Sequence, residues 1–149
     1  MTNKFHYTFY NGAEVKEMQP MIDKMNSICC EYKGLKESDI LRFLEESSTI
    51  CCMTQNNELL GFSWTVLCEE EQIAELCWLV MDKKKSKGLD GKYLLDKTLD
   101  YCKSKNINSV KFNCDLDSWG RIKNKSKLLS KYGYNLDEND TDYDVSIRI

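Results

Sequence analysis

The sequence predicts a single mixed α/β domain over residues 1–149, an antiparallel meander followed by a parallel βαβ crossover, a C-terminal helix and final strands. Three observations carry that reading. Residues 73–114 run as a nearly unbroken apolar stretch, a lysine-rich turn with two glycines, a segment with helical periodicity and a second short apolar stretch, the order of a strand–helix–strand unit. Two strand-like segments flank the short polar turn Asn56-Asn57, the pattern of an antiparallel hairpin. The chain of 149 residues is long enough for one core and has the composition of an ordinary globular protein.

In chain order, Lys4–Tyr10 alternates with Phe5, Tyr7 and Phe9 on one face and reads as a strand closed by Asn11-Gly12. From Ala13 to Tyr32 the apolar positions Val15, Met18, Met21, Ile22, Met25 and Ile28 follow a helical period that Pro20 interrupts or kinks. Ser38–Glu46 reads as a short amphipathic helix with Ser38 as its cap. Thr49–Gln55 and Glu58–Cys68 form the hairpin, and the Glu69-Glu70-Glu71 turn leads into the strand that begins at Ile73. That strand, I-A-E-L-C-W-L-V-M, has the apolar density of one buried on both faces. Tyr93, Leu94, Leu99 and Cys102 mark the helix after the glycine turn. Ser109–Cys114 is the returning parallel strand, with Val110 and Phe112 on one face. Asp117–Lys131 is a polar helix ended by Gly133, Tyr134–Leu136 a short strand and Tyr143–Ile149 the last one.

A net charge of −3 gives no general reason to expect nucleic acid as a partner, and the Lys83-Lys84-Lys85 run lacks the basic surface that would supply one. No stretch approaches the roughly 20 apolar residues of a membrane span, and the first ten residues lack a secretory signal, so a cytoplasmic protein is expected. The eight cysteines include two adjacent pairs, Cys29-Cys30 and Cys51-Cys52, without zinc-ribbon spacing. They are expected to be small buried thiols, with Cys114 at a strand end a weaker candidate acyl acceptor. His6 is the single histidine, which restricts nucleophile–histidine pairs and histidine metal sites, and no metal is expected.

The strand–glycine turn–helix junction is the candidate binding element. Backbone N–H groups at a helix start accept an anion, and Gly88 and Gly91 let a phosphate approach the main chain, with Lys85, Lys87 and Lys92 adding charge. Glu75 stands inside the apolar strand. If buried there, its carboxyl would be driven toward the range a general base uses, and at a solvated strand end it would be an ordinary surface carboxylate.

Taken together, the element order resembles the GNAT superfamily of N-acetyltransferases over nearly the whole chain. Val80, Lys85 and Gly88 are similar to the family's V-x-P-x-x-R/Q-x-x-G-x-G/A loop, which binds the pyrophosphate of acetyl-CoA. Lys131–Tyr134, K-Y-G-Y, resembles the K-x-G-F that closes the family's last helix, and Ala74–Trp78, A-E-L-C-W, is similar to the histone-acetyltransferase branch. The resemblance implies a GNAT-like fold, acetyl-CoA as co-substrate and a primary amine, on a small molecule or a protein, as acceptor. It implies Glu75 as general base, backbone groups of Leu79, Val80 and Met81 on the pantetheine arm, and Lys85, Ser86, Lys87, Gly88, Leu89, Asp90, Gly91 and Lys92 around the pyrophosphate. Asp82 stands where the family has proline, Lys85 where it has arginine or glutamine, and Leu129 where many members have the tyrosine they use as general acid. Tyr132, Tyr134 or water would then protonate the departing thiolate. The alternative is a GNAT-like module that binds acyl-CoA or a protein without turnover.

Overall fold

The computed structural model describes residues 5–29, 48–87, 90–113, 135–136 and 144–149. The expected helices at 38–46 and 117–131 and the Gly133 cap lie outside the described residues. The sheet runs, neighbour by neighbour, β1 (His6–Asn11), β2 (Thr49–Gln55), β3 (Glu58–Cys68), β4 (Ile73–Met81), β5 (Ser109–Asn113), β7 (Asp144–Arg148) and β6 (Asn135–Leu136). The chain divides into two compact units, Met1–Val66 with Trp78–Thr98, and Leu67–Cys77 with Leu99–Ile149. One strand and one helix contribute to both.

In the first unit, β1 (His6–Asn11) pairs antiparallel with β2 (Thr49–Gln55), from His6 opposite Thr54 to Asn11 opposite Thr49. Asn11 ends the strand and caps α1 (Gly12–Lys16). Its side chain accepts from the Glu14 N–H at 2.8 Å and its own N–H donates to the Glu14 carboxylate at 3.1 Å, a reciprocal capping box. The helical stretch expected from Ala13 to Tyr32 is two helices, α1 and α2 (Gln19–Cys29). Pro20 lies in the first turn of α2, where its missing N–H costs no hydrogen bond, so it starts a helix rather than kinking one. Ile22, Met25, Ile28 and Cys29 form the buried stripe of α2.

β2 turns into β3 (Glu58–Cys68) through Asn56 and Asn57, both left-handed at φ 54° and 64°, the conformation a two-residue hairpin with the right twist requires. A register shift between Met53 and Thr54 bends the hairpin near that turn. Just beyond it Gly61 admits a close approach: a Cβ there would lie 2.5 Å from the Met81 sulfur and 2.7 Å from the Val80 carbonyl oxygen. Cys51, Met53, Leu60 and Leu94 form one core cluster, with Phe5, Tyr7, Phe9, Leu79 and Met81 packed on it. Trp64, fully buried, meets Trp78 edge-on at 5.9 Å. Thr98 donates to the Leu94 carbonyl at 2.9 Å. Its hydroxyl proton is thereby used, so Ser63 is the donor in the buried 2.6 Å Ser63–Thr98 bond that ties helix to strand.

β4 (Ile73–Met81) is not buried on both faces. Ala74, Leu76 and Val80 are buried, whereas Glu75 is exposed and its same-face successors Cys77, Leu79 and Met81 are half-buried. Helix α3 (Asp90–Ser104) buries Leu94, Thr98, Leu99 and Cys102, but Tyr93 is exposed and rests its ring 6.1 Å from Phe5 rather than joining the stripe. In the second unit β5 (Ser109–Asn113) runs parallel to β4 and antiparallel to β7 (Asp144–Arg148), which pairs with β6 (Asn135–Leu136). The crossover and the hairpin-fed sheet are those the sequence predicts.

Candidate functional site

The β4–β5 ladder is short. It consists of Ile73 opposite Ser109, Ala74 opposite Val110 and Glu75 opposite Lys111. Leu76 and Cys77 continue β4, and Phe112 and Asn113 continue β5, yet none of them adds a rung. Directly opposed residues of a parallel pair share a face, and the burial follows: Ala74 and Val110 are buried together, Glu75 and Lys111 exposed together. The last rung thus sets Glu75 opposite Lys111 on one exposed face, where main-chain pairing stops. The burial argument for Glu75 does not hold: it is exposed, although Leu79 and Met81 further along the same face pack on the core. Lys111 was not among the sequence-derived candidates. Its alternation with Val110 was readable, but the register that sets it opposite Glu75 was not.

The turn after β4 is organised by Asp82. Its N–H donates to the Leu60 carbonyl at 2.8 Å, a bond proline could not make, which gives a local reason for aspartate there. Its carboxylate accepts from the Lys84 N–H at 2.9 Å, and its carbonyl from the N–H groups of Lys85 at 3.2 Å and Ser86 at 2.8 Å. Asp82 is 7% exposed, and these bonds account for its burial. Lys85 forms an ion pair with Glu58 on β3. That hydrogen bond holds the Glu58 carboxyl below the usual carboxylate range and raises the Lys85 ammonium above its ordinary value. A cavity of about 370 Å³ lies between this turn and the β2–β3 hairpin, lined by Asn56, Glu58, Leu60, Lys84, Lys85 and Lys87.

At the start of α3, the Lys87 N–H donates to the Asp90 carboxylate at 2.7 Å and the Asp90 N–H donates to the Lys87 carbonyl at 2.9 Å. A carboxylate at a helix N-terminus is favoured by the helix dipole. The main-chain donors of Lys84, Lys85, Ser86 and Lys87 are therefore engaged by Asp82 and Asp90. The first-turn N–H groups of any helix lack an acceptor one turn back within that helix, which makes the start of α3 the candidate anion end. Gly91 has room for a Cβ, which would meet the Met81 Cγ at 3.6 Å, an ordinary contact. Lys92 pairs with Asp96 one turn on at 2.7 Å. Tyr7 on β1 has its hydroxyl pKa raised by burial first and then by nearby Cys51, Asp96 and Asp90, which places the opening turns of α3 beside that strand.

Of the predicted site residues, Leu79, Val80 and Met81 end β4, Lys85, Ser86 and Lys87 form the turn, and Asp90, Gly91 and Lys92 open α3. Gly88, Leu89, Leu129, Tyr132, Tyr134 and Cys114 lie outside the described residues. Among the described residues no group of His, Cys, Asp or Glu is arranged to hold a metal ion, and no helix is long and apolar enough to cross a membrane.

No protein-family model matches the sequence, and no curated protein matches it. Solved structures do. Tetrahymena GCN5 superposes with a TM-score of 0.74 at 12% identity, over 97% of this chain and 96% of that one. The chain has the GNAT fold. Escherichia coli ribosomal-protein-S18-alanine N-acetyltransferase matches with a TM-score of 0.71 at 15% identity, over 97% and 94% of the two chains. The PaiA N-acetyltransferase of Thermoplasma acidophilum, solved in complex with coenzyme A, matches with 0.62 at 13% identity, over 98% and 99%. The GNAT likeness is one of fold, carried across almost the full length of both chains at identities far below those at which function follows sequence.

Proposed function

We propose that this protein is an acetyl-CoA-dependent N-acetyltransferase that transfers the acetyl group to a primary amine of a small molecule or a protein. The observation that carries the reading is the ladder that ends at Glu75 on a GNAT fold: an exposed carboxylate at the point where β4 and β5 cease to pair. GNAT neighbours solved with coenzyme A support the choice of co-substrate. In this reading β4 offers the main chain of Leu79–Met81 to the pantetheine arm, and the first turn of α3 offers N–H groups and its dipole to the pyrophosphate. Lys87 and Lys92 add positive charge, and Gly91 keeps the approach clear. Glu75, directly or through one water, accepts a proton from the acceptor ammonium. The freed amine attacks the thioester carbonyl carbon, a C–N bond forms, the C–S bond breaks, and sulfur leaves with the electron pair. The second proton leaves nitrogen for solvent as the amide forms, and a proton from Tyr132, Tyr134 or water completes the thiol. The cytosol suits a chain whose Cys51, Cys52, Cys68 and Cys102 are thiols rather than disulfides.

A second reading is a GNAT-like module that binds acyl-CoA or a protein without turnover; Leu129 at the usual tyrosine position and the departures at Asp82 and Lys85 in the loop motivate it. Two measurements separate the readings. Acetyl-CoA at about 100 times its dissociation constant should stabilise the fold by about 2.7 kcal/mol, and a panel of primary amines should release free thiol from acetyl-CoA. A melting shift without thiol release supports the binding module. No shift at millimolar acetyl-CoA overturns both.

A further inference from the structure

We infer that Lys111 is an acetylation site of the protein itself, modified intramolecularly with Glu75 as the base. The inference rests on the transferase reading above. Lys111 and Glu75 are the last rung of the β4–β5 ladder and point to the same exposed face. Neighbouring strands lie about 4.8 Å apart, so a lysine side chain, with its four methylenes, is long enough to reach the Glu75 carboxylate by rotation about its own bonds. A primary amine beside a proton acceptor, at the end of the paired segment, is the arrangement the proposed reaction needs of its acceptor. Holding an acceptor in place gives effective concentrations far above those of a diffusing amine. Glu75 takes one proton from the Lys111 ammonium. The neutral Nζ attacks the thioester carbonyl carbon, the C–N bond forms and the C–S bond breaks. The second proton leaves nitrogen and ends on the departing sulfur, so the products are an amide on Lys111 and coenzyme A thiol. The modified side chain is neutral, which leaves Glu75 without its cationic neighbour.

The test incubates the full chain with acetyl-CoA and no added amine, followed by peptide mass spectrometry over time. Lys103 and Lys105, both exposed in the same unit, report uncatalysed acetylation. Lys111 should gain an acetyl group at least about 10² times faster than they do, Glu75→Gln should remove that advantage, and the rate per molecule should not change when the protein is diluted. Lys111→Arg should lose the modification with its melting temperature intact. Acetylation of Lys111 at the rate of Lys103 and Lys105, or an equal rate in Glu75→Gln, overturns the inference. A rate that falls on dilution also overturns it, since a second copy would then be the catalyst. An acetyl-CoA melting shift with Lys111 unmodified defeats this inference alone, whereas neither shift nor modification defeats the transferase reading with it.

Discussion

Replacing Gly91 by alanine should separate what the fold asks of this position from what a ligand asks. The backbone at Gly91 is helical, so no unusual dihedral requires glycine. The new Cβ would stand 3.6 Å from the Met81 Cγ, in ordinary contact. Glycine costs a helix interior about 0.8–1.0 kcal/mol relative to alanine, and somewhat less of that is recovered in a first turn. Gly91→Ala should therefore raise the melting temperature of the unliganded protein by about 2–4 °C at most. If the pyrophosphate approaches the first turn of α3, the same methyl group stands in its way. Loss of about one hydrogen bond, roughly 1 kcal/mol, weakens acetyl-CoA by about five- to tenfold. Gly91→Val should bind more weakly still, and its β-branched side chain should forfeit the gain in stability. Calorimetric titration of acetyl-CoA and thermal melting of the same samples measure both quantities. A Gly91→Ala protein that is more stable and binds as tightly as the parent would refute the phosphate cradle at α3. Gly61 supplies the contrast. There a Cβ meets the Met81 sulfur at 2.5 Å and the Val80 carbonyl oxygen at 2.7 Å. The thioether can swing aside but the backbone oxygen cannot, so Gly61→Ala should destabilise by about 1–3 kcal/mol whether or not ligand is present.

Glu75→Gln should keep acetyl-CoA affinity and lower transfer by about 10²–10⁴, and because Glu75 is exposed the melting temperature should stay within the small range of surface changes; unchanged transfer from pH 6 to 9 sinks the base assignment. The Lys85–Glu58 pair contributes stability only while both partners are charged: the lowered Glu58 pKa makes its contribution present above the unfolded carboxylate range and lost as pH falls through the folded value, and the raised Lys85 pKa makes the same pair lose stability as pH rises through that folded value. Melting curves of the parent and Glu58→Gln should therefore differ at neutral pH and converge in acid; a gap that persists below the carboxylate range refutes this. Burial pushes the Cys51 and Cys52 thiols up to about 12 and Cys102 up to about 11, so a thiol reagent at pH 8 should label exposed Cys68 first and leave those three untouched until the protein unfolds.

The strands were legible because their periods are local. Thr49–Gln55 and Glu58–Cys68 fall at the boundaries read from alternation and the Asn-Asn turn, and the crossover follows from the strand–helix–strand order. What failed to show in the sequence is what depends on a partner several dozen residues away. Glu75 reads as buried because eight apolar neighbours surround it in sequence, but only every second one shares its face. Lys111 reads as a solvated lysine until register sets it opposite Glu75. Pro20 reads as a kink because the stop before it, where main-chain N–H groups at the Glu17 cap close the end of α1 on the Glu14 and Val15 carbonyls, is a pairing within the main chain, not a periodicity. The glycine turn reads as a row of free amides, whereas Asp82 and Asp90 each sit close enough in sequence to have been recognised as their acceptors.

In the proposed phosphate site, those two aspartates would set the terms on which a phosphate binds. Asp82 uses its N–H on Leu60 and its two acceptors on the amides of Lys84, Lys85 and Ser86, so the turn is rigid without a ligand and has few donors left to give. Asp90 differs, because its carboxylate occupies the Lys87 amide at the end of α3 that an anion would seek. An incoming phosphate displaces that carboxylate or shares the helix start with a like charge, and either cost reduces affinity. The remaining attraction comes from the first-turn amides and from Lys87 and Lys92, of which Lys92 is already shared with Asp96. A weak hold on the phosphates is compatible with turnover, since binding that is uniform through the reaction lowers KM without raising kcat. It is less compatible with a module whose role is to retain acyl-CoA. The arrangement of Asp90 over the Lys87 amide therefore weighs on the side of the proposed transferase rather than the binding module.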